Sequence, residues 1–429
     1  MSTDYRFETL CLHSGQGPDP ATNARAIPIH RTSSYVFNST EHAANLFSLK
    51  EPGNIYTRIM NPTQNQLETT VAALEGGAAA LALSSGTSAI HYAIINICSS
   101  GDEIVSANNL YGGTYTMFDA ILPQFGIHTR FVDPHKPQNF ESAINERTRA
   151  IFIETIGNPV LDFTDIEAVA TIARRHSLPL IVDATFTTPY LFRCIDYGAD
   201  IVINSLTKWM GGHGTGIGGI VVDAGKFNWQ DPKFDLYNKP DASYHDVRFA
   251  HDLGDLNPVA FIMRMRLVPL RNLGACISPD NAWLFLQGLE TLPLRMERHS
   301  ENALQVAEHL KAHPNVTWVR YPGLKDDPAH ATAEKYLKKG FGGMVVFGIK
   351  GGFDAGHNFV DNLKLFSHLA NVGDAKSLVV HPSSTTHSQL SEESQKASGL
   401  TPDLIRLSIG IEHIDDIIAD IDQAFSKTT

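Results

Sequence analysis

The sequence predicts an α/β protein, with a large, mainly parallel-sheet domain followed by a smaller C-terminal α/β domain. Three observations carry that reading. Short apolar runs recur along the 429 residues. Helical patterns separate several of them. Residues suited to chemistry gather where the runs end. Strands alternating with helices are βαβ units, whose strands are buried on both faces and whose ligands bind at one edge of the sheet.

Composition narrows the function. The length allows a large core and two domains. A formal net charge of -12 argues against nucleic acid or an anionic membrane as the main partner. An anionic small ligand stays possible, because a few local donors decide it. Cys11, Cys98, Cys194 and Cys276 lie far apart without zinc-ligand spacing, and read as buried free thiols of a reducing compartment. Met1 to Arg6 lacks the apolar run of a signal peptide, and no apolar run approaches a membrane span. The expectation is a cytoplasmic protein.

The elements follow in order. Residues 1–60 read as an irregular N-terminal arm, with turn clusters such as Gly15 to Pro20, packed on its own domain or on a neighbouring subunit. Residues 61–276 read as the large domain. Asn61-Pro62 starts a helix, Leu67, Val71 and Leu74 share its apolar face, and Gly76-Gly77 stops it. Strands are expected at Ala79–Leu83, Ile104–Val105, Thr129–Val132, Ala150–Ile153, Leu180–Val182, Ile201–Ile203 and Ile217–Val222, with helices at Ser88–Ile97 and Asp165–His176 between some of them. Residues 223–276 read as an elaborated connection. The C-terminal domain spans 277–429. A helix runs from Pro279 and is bent or interrupted by Pro293. Strands at Val316–Val319, Met344–Phe347, Leu378–Val380 and Ile405–Ser408 then alternate with helices at Ala303–Lys311 and Ile414–Phe425.

Lys208 ends the strand-like run Ile201-Val202-Ile203, with Ser205 and Thr207 before it and a glycine-rich loop after it. An amine in a semi-apolar pocket loses proton affinity and becomes a nucleophile for a Schiff base. Neighbouring hydroxyls suit a phosphate. Together they suggest pyridoxal 5'-phosphate (PLP), against the plain alternative of a surface lysine in a turn. Ser85-Gly86-Thr87 ends one strand and opens a helix, a place for a phosphate or simply a serine cap. Asp183 ends Leu180-Ile181-Val182, where a buried carboxylate needs a cation such as a pyridinium nitrogen, unless it caps a turn. Tyr111 has an aromatic face for a flat ring, or for the core. Tyr56 and Arg58 offer a phenol and a guanidinium fork from the arm, within reach of a neighbouring subunit's site. Arg406 lies inside an apolar strand and needs an anion, either a substrate carboxylate or an internal partner.

The whole pattern resembles the PLP-dependent enzymes of cysteine and methionine metabolism, and among them the O-acetylhomoserine sulfhydrylases. The resemblance runs from Leu12-His13-Ser14-Gly15 to Ile414-Asp415-Asp416. It rests on Tyr56-Thr57-Arg58 with Asn61-Pro62-Thr63, on Glu154 to Pro159, on the lysine segment and on Gln287 to Leu292. Asn371 to Leu378 and Arg406 to Glu412 complete it. It implies a fold type I PLP-dependent transferase. Lys208 would hold PLP and then shuttle protons, with Asp183 on the ring nitrogen, Tyr111 stacked on the ring and Thr185 beside it. Ser85, Gly86, Thr87, Ser205 and Thr207 would bind the phosphate, completed by Tyr56 and Arg58 of the neighbouring subunit. Tyr56 and Tyr111 would also serve catalysis. Asn158, Arg406 and the Ser377 region would hold the substrate carboxylate. No metal is implied.

The implied reaction is γ-replacement, in which O-acetyl-L-homoserine and sulfide give L-homocysteine and acetate, or a small thiol gives methionine. A homotetramer with sites shared within dimers is inherited from the family. The rivals are a cystathionine γ-synthase and a methionine or cystathionine γ-lyase. Gly113 stands where methionine γ-lyases usually carry cysteine, which argues against a lyase. A nucleotide-binding module without PLP is the rival of another class, but the glycines of 211–216 match neither a P-loop nor a dinucleotide fingerprint. Ala184, Leu206 and Thr87 depart from the family pattern, and the first two bear on cofactor geometry.

Overall fold

A computed structural model describes residues 5–385 and 400–428. The apolar runs assemble into two sheets. The larger contains β1 (Ala79–Leu83), β2 (Glu103–Ala107), β3 (His128–Val132), β4 (Thr148–Glu154), β5 (Leu180–Asp183), β6 (Ile201–Ser205) and β7 (Gly219–Asp223), in the order β1-β7-β6-β5-β4-β2-β3. Strands β6, β5, β4, β2 and β3 pair in parallel, and β7 runs antiparallel between β6 and β1. The ends of β1, β4, β5 and β6 therefore share one edge, with Leu83 and Ser205 both opposite Gly219.

Local chemistry sets the helix boundaries. Asn61 caps the helix Pro62–Glu75 by accepting the Thr63 N–H at 2.9 Å, and Gly76 closes it in the left-handed region at φ 74°. Ser85 caps Gly86–Ile95, so this helix begins two residues earlier than the sequence predicts and brings Gly86 to the sheet edge. Asp165 caps Ile166–Arg175.

The second sheet contains β8 (Val316–Arg320), β9 (Met344–Ile349), β10 (Ser367–His368), β11 (Leu378–Val380) and β12 (Leu404–Ser408), in the order β10-β11-β12-β9-β8. All its pairings are antiparallel except β10 with β11. Phe347, Phe359 and Phe425 lie in its core, with Val306 and Leu310 of the helix Leu292–Ala312. Pro293 sits in the first turn of that helix, just after the break at Thr291 that separates it from Pro279–Glu290.

Several expectations need correction. The last strand of the large sheet starts at Gly219 rather than Ile217, whose side chain is exposed. The arm holds two short helices, Phe7–His13 and Thr40–Phe47, too brief for an apolar repeat to declare them. The connection 223–276 contains a helical run from Ala260 to Leu273 against the sheet, whose periodicity is masked by Pro269 inside it. Cys11, Cys98 and Cys194 are buried free thiols, but Cys276 is exposed. No described helix is long and apolar enough to cross a membrane.

Candidate active site

The shared sheet edge collects most of the expected residues. Backbones meet closely where Gly86 opens its helix. A Cβ at Gly86 would lie 2.7 Å from the Ser205 Cβ, and one at Gly219 would lie 2.1 Å from the Ser85 carbonyl oxygen. Glycine alone allows this approach. Ser85 Oγ accepts the Ser88 N–H at 3.0 Å, and the amides of Gly86 and Thr87, in the first turn of the same helix, have no intrahelical acceptor and so are available to an anion. Thr185 Oγ1 accepts the Ser205 N–H at 2.9 Å, which joins the ends of β5 and β6. The Thr207 hydroxyl accepts the Gly218 N–H at 3.1 Å and so braces the loop after the lysine.

Lys208 sits one turn beyond β6. Its Nζ donates to Asn371 Oδ1 at 2.5 Å. Burial, with the Arg406 charge adding to it, pulls the amine down to about 8. The second sheet's loop rests directly on this segment. A Cβ at Gly373 would lie 2.6 Å from the Trp209 nitrogen, and the Ala375 N–H donates to the Gly212 carbonyl at 2.8 Å. Asn371 is therefore part of the site, although its motif alone did not single it out.

Asp183 ends β5 beside Glu154, which ends β4, and the two are partners in register. Asp183 Oδ1 accepts the Thr185 N–H at 2.9 Å. Glu154 Oε1 accepts the Tyr111 N–H at 2.8 Å. Burial raises both carboxyls above their ordinary range, and the neighbouring Asp183 raises Glu154 further. Glu154, like Asp183, is a carboxylate closing an apolar strand, the sequence signal by which it could have been found. The Tyr111 side chain is 53% exposed, and its ring lies over Gly113, where a Cβ would come within 2.6 Å of it.

Arg406, buried on β12, donates from Nη1 to Asn158 Oδ1 at 3.2 Å. Burial lowers its pKa to about 10. Ser377 immediately precedes β11. Its hydroxyl donates to Glu412 Oε2 at 2.9 Å and accepts the Gly410 N–H, while its own N–H donates to Glu412 Oε1 at 2.7 Å. Both donors are engaged by Glu412. Tyr56 and Arg58 are exposed on the arm, where the Arg58 guanidinium lies 5.2 Å from the Tyr56 ring centre. Among the described residues, no hydrogen bond joins either to Lys208, Asp183 or Gly86. Ala184 and Leu206, the two departures from the family pattern, are fully buried core residues.

These residues fit PLP. The helix start at Gly86, packed closely on Ser205, would offer backbone amides to a phosphate, the half-buried Lys208 of depressed basicity would take the aldehyde, and the strand-end Asp183 would suit a protonated ring nitrogen. Fold and site together define a PLP-dependent enzyme of α/β architecture. The chain belongs to the Cys/Met metabolism PLP-dependent enzyme family, whose model matches residues 8–426. It is 53% identical to the O-acetyl-L-homoserine sulfhydrylase of Leptospira meyeri, over 100% of this chain and 98% of that protein. It is 51% identical to the homocysteine synthase of Schizosaccharomyces pombe, over 97% of each. A Campylobacter jejuni structure described as an O-acetylhomoserine (thiol)-lyase, bearing a pyridoxyl-lysine phosphate, superposes with a TM-score of 0.94. It is 40% identical, over 98% of this chain and 100% of that one.

Proposed function

We propose that this enzyme replaces the acetate of O-acetyl-L-homoserine with sulfide, forming L-homocysteine, and that a small thiol in place of sulfide gives methionine. The observation that carries the chemistry is Lys208, an amine lowered to about 8 and placed beside the buried Arg406–Asn158 pair. The relatives named as sulfhydrylases and homocysteine synthases support the choice of substrate.

When bound, PLP supplies the electron sink for negative charge next to the substrate amine. The chain supplies the rest. Lys208 Nζ moves the proton at the substrate Cα, and Asn371 orients that amine. Asp183 holds a proton on the ring nitrogen. Gly86 and Thr87 present backbone amides to the phosphate, with the Ser85, Ser205 and Thr207 segment around it. The Tyr111 ring would stack on the cofactor, and Thr185 would serve the same site. Arg406 and Asn158 clamp the substrate carboxylate, a charge-assisted contact that fixes the reacting carbons over the lysine.

The division into an arm (1–60), a large domain (61–276) and a C-terminal domain (277–429) belongs to the same reading. So does a cytoplasmic homotetramer in which Tyr56 and Arg58 complete the neighbouring subunit's phosphate site. Purified protein with added PLP, O-acetylhomoserine and sulfide should yield equal amounts of homocysteine and acetate. Absence of homocysteine, with the cofactor's visible band present, would reject the substrate. Absence of the band would reject the PLP site.

A further inference from the structure

Glu154 ends β4 beside Asp183 and has no task in the reaction described. Its backbone is fixed on both sides, since Thr164 Oγ1 donates to its carbonyl at 3.1 Å and Asp183 is its register partner. Its side chain is buried and reaches the Tyr111 N–H at 2.8 Å. The Tyr111 ring is exposed, so neighbouring side chains do little to hold it, and its position depends on the backbone. The amide bond to Glu154 anchors that backbone to the sheet edge.

We propose that Glu154 is a positioning residue: its carboxyl fixes Tyr111 at the ring site and leaves Asp183 as the charged partner of the ring nitrogen. The inference rests on the PLP reading above. Two buried carboxyls on adjacent strands do not both ionise without cost. Asp183 accepts from the Thr185 backbone, and the Thr185 side chain also favours its charged form. Among the described residues, the Glu154 carboxyl has the single bond from Tyr111. Asp183 therefore takes the charge and Glu154 keeps the proton. A neutral carboxyl still accepts an N–H through its carbonyl oxygen. Glutamine offers the same acceptor, whereas alanine offers none.

The test compares Glu154→Ala, Glu154→Gln, Tyr111→Ala and the double variant Glu154→Ala/Tyr111→Ala. PLP affinity and the circular dichroism of the bound cofactor are read alongside turnover. Wild type must first show the cofactor band and Lys208→Ala must lose it; failure there rejects the PLP reading and not the role of Glu154. Glu154→Ala should weaken PLP binding about tenfold, the effect of one buried donor left unpaired, and should diminish the dichroic band. Glu154→Gln should stay within about twofold of wild type, because the acceptor remains. In the Tyr111→Ala background, Glu154→Ala should add less than about twofold, since coupled residues are not additive. Glu154→Met keeps the volume without an acceptor and replaces the alanine variant if that one does not fold. A glutamine variant as impaired as the alanine one would overturn the neutral-acceptor role. An alanine effect that persists without the Tyr111 ring would overturn the action through Tyr111.

Discussion

An amine that titrates near neutrality is the property on which the chemistry of Lys208 depends. Burial opposes its charged form, so its pKa falls to about 8 and the free base grows as pH rises toward that value. Reductive methylation of the protein without PLP, read at Lys208 by mass spectrometry, should slow about tenfold per pH unit below about 8 and level off above it. A rate still climbing at about pH 10 would return Lys208 to the ordinary lysine range. Arg406 makes a second prediction. Its guanidinium is buried and meets Asn158, with donors left over for a carboxylate. Arg406→Ala should raise KM for O-acetylhomoserine by roughly 10- to 100-fold, the range expected for a lost charged hydrogen bond. Unchanged KM with a lowered melting temperature would make Arg406 structural. At this scale the sequence showed residue types and little of their partners. Lys208, Asp183 and Arg406 stood out because a polar group ending or interrupting an apolar run needs an explanation. Asn371 did not, because its meaning comes from a contact across 163 positions of chain.

Strands were the most legible elements, since parallel strands buried on both faces are written as continuous apolar runs. β10 is only two residues long, and Ala260–Leu273 is helical in spite of Pro269, so neither carries a readable period. Contacts between elements were less legible still. Glu75, the last residue of the helix Pro62–Glu75, is fully buried against β6, where Asn204 Nδ2 donates to its Oε1 at 2.7 Å. Burial raises the Glu75 carboxyl to about 8. Its folded pKa lies above its unfolded one, so the folded state binds the proton more tightly. The stability it contributes is complete below the unfolded value of 4.5 and is lost as pH rises through about 8. Among the described residues, Asn204 Oδ1 and Glu75 Oε2 each lack a hydrogen-bond partner. A glutamine at 75 would bring an amide donor to that gap and remove the titration. Glu75→Gln should therefore match wild type near pH 5 and exceed it in melting temperature near pH 8. The free-energy difference there should be on the order of a few kcal/mol. Parallel pH curves for the two proteins would show that Glu75 stays ionised in the fold.

Over the whole molecule, the site is assembled from the large sheet's edge, the loop 371–375 beside the second sheet, and β12. The arm stands apart from this assembly. Tyr56 is 42% exposed, and Arg58 rests on the Tyr56 ring rather than on a phosphate cradle. A guanidinium and a phenol kept at an exposed surface are available to a second copy of the chain, and a closed dimer would present each arm to the other subunit's edge. This arrangement makes a numerical prediction. Arg58→Ala should bind PLP weakly, and Lys208→Ala should be inactive. Reassorting the two variants in equal amounts places half of the dimers in mixed form. Each mixed dimer has one site that draws an intact lysine from one chain and an intact arginine from the other. Activity should return to about a quarter of wild type, the statistical share for two shared sites per dimer. If subunit exchange is demonstrated by mass spectrometry and no activity returns, Arg58 serves its own chain's site or none, and the shared-site proposal fails.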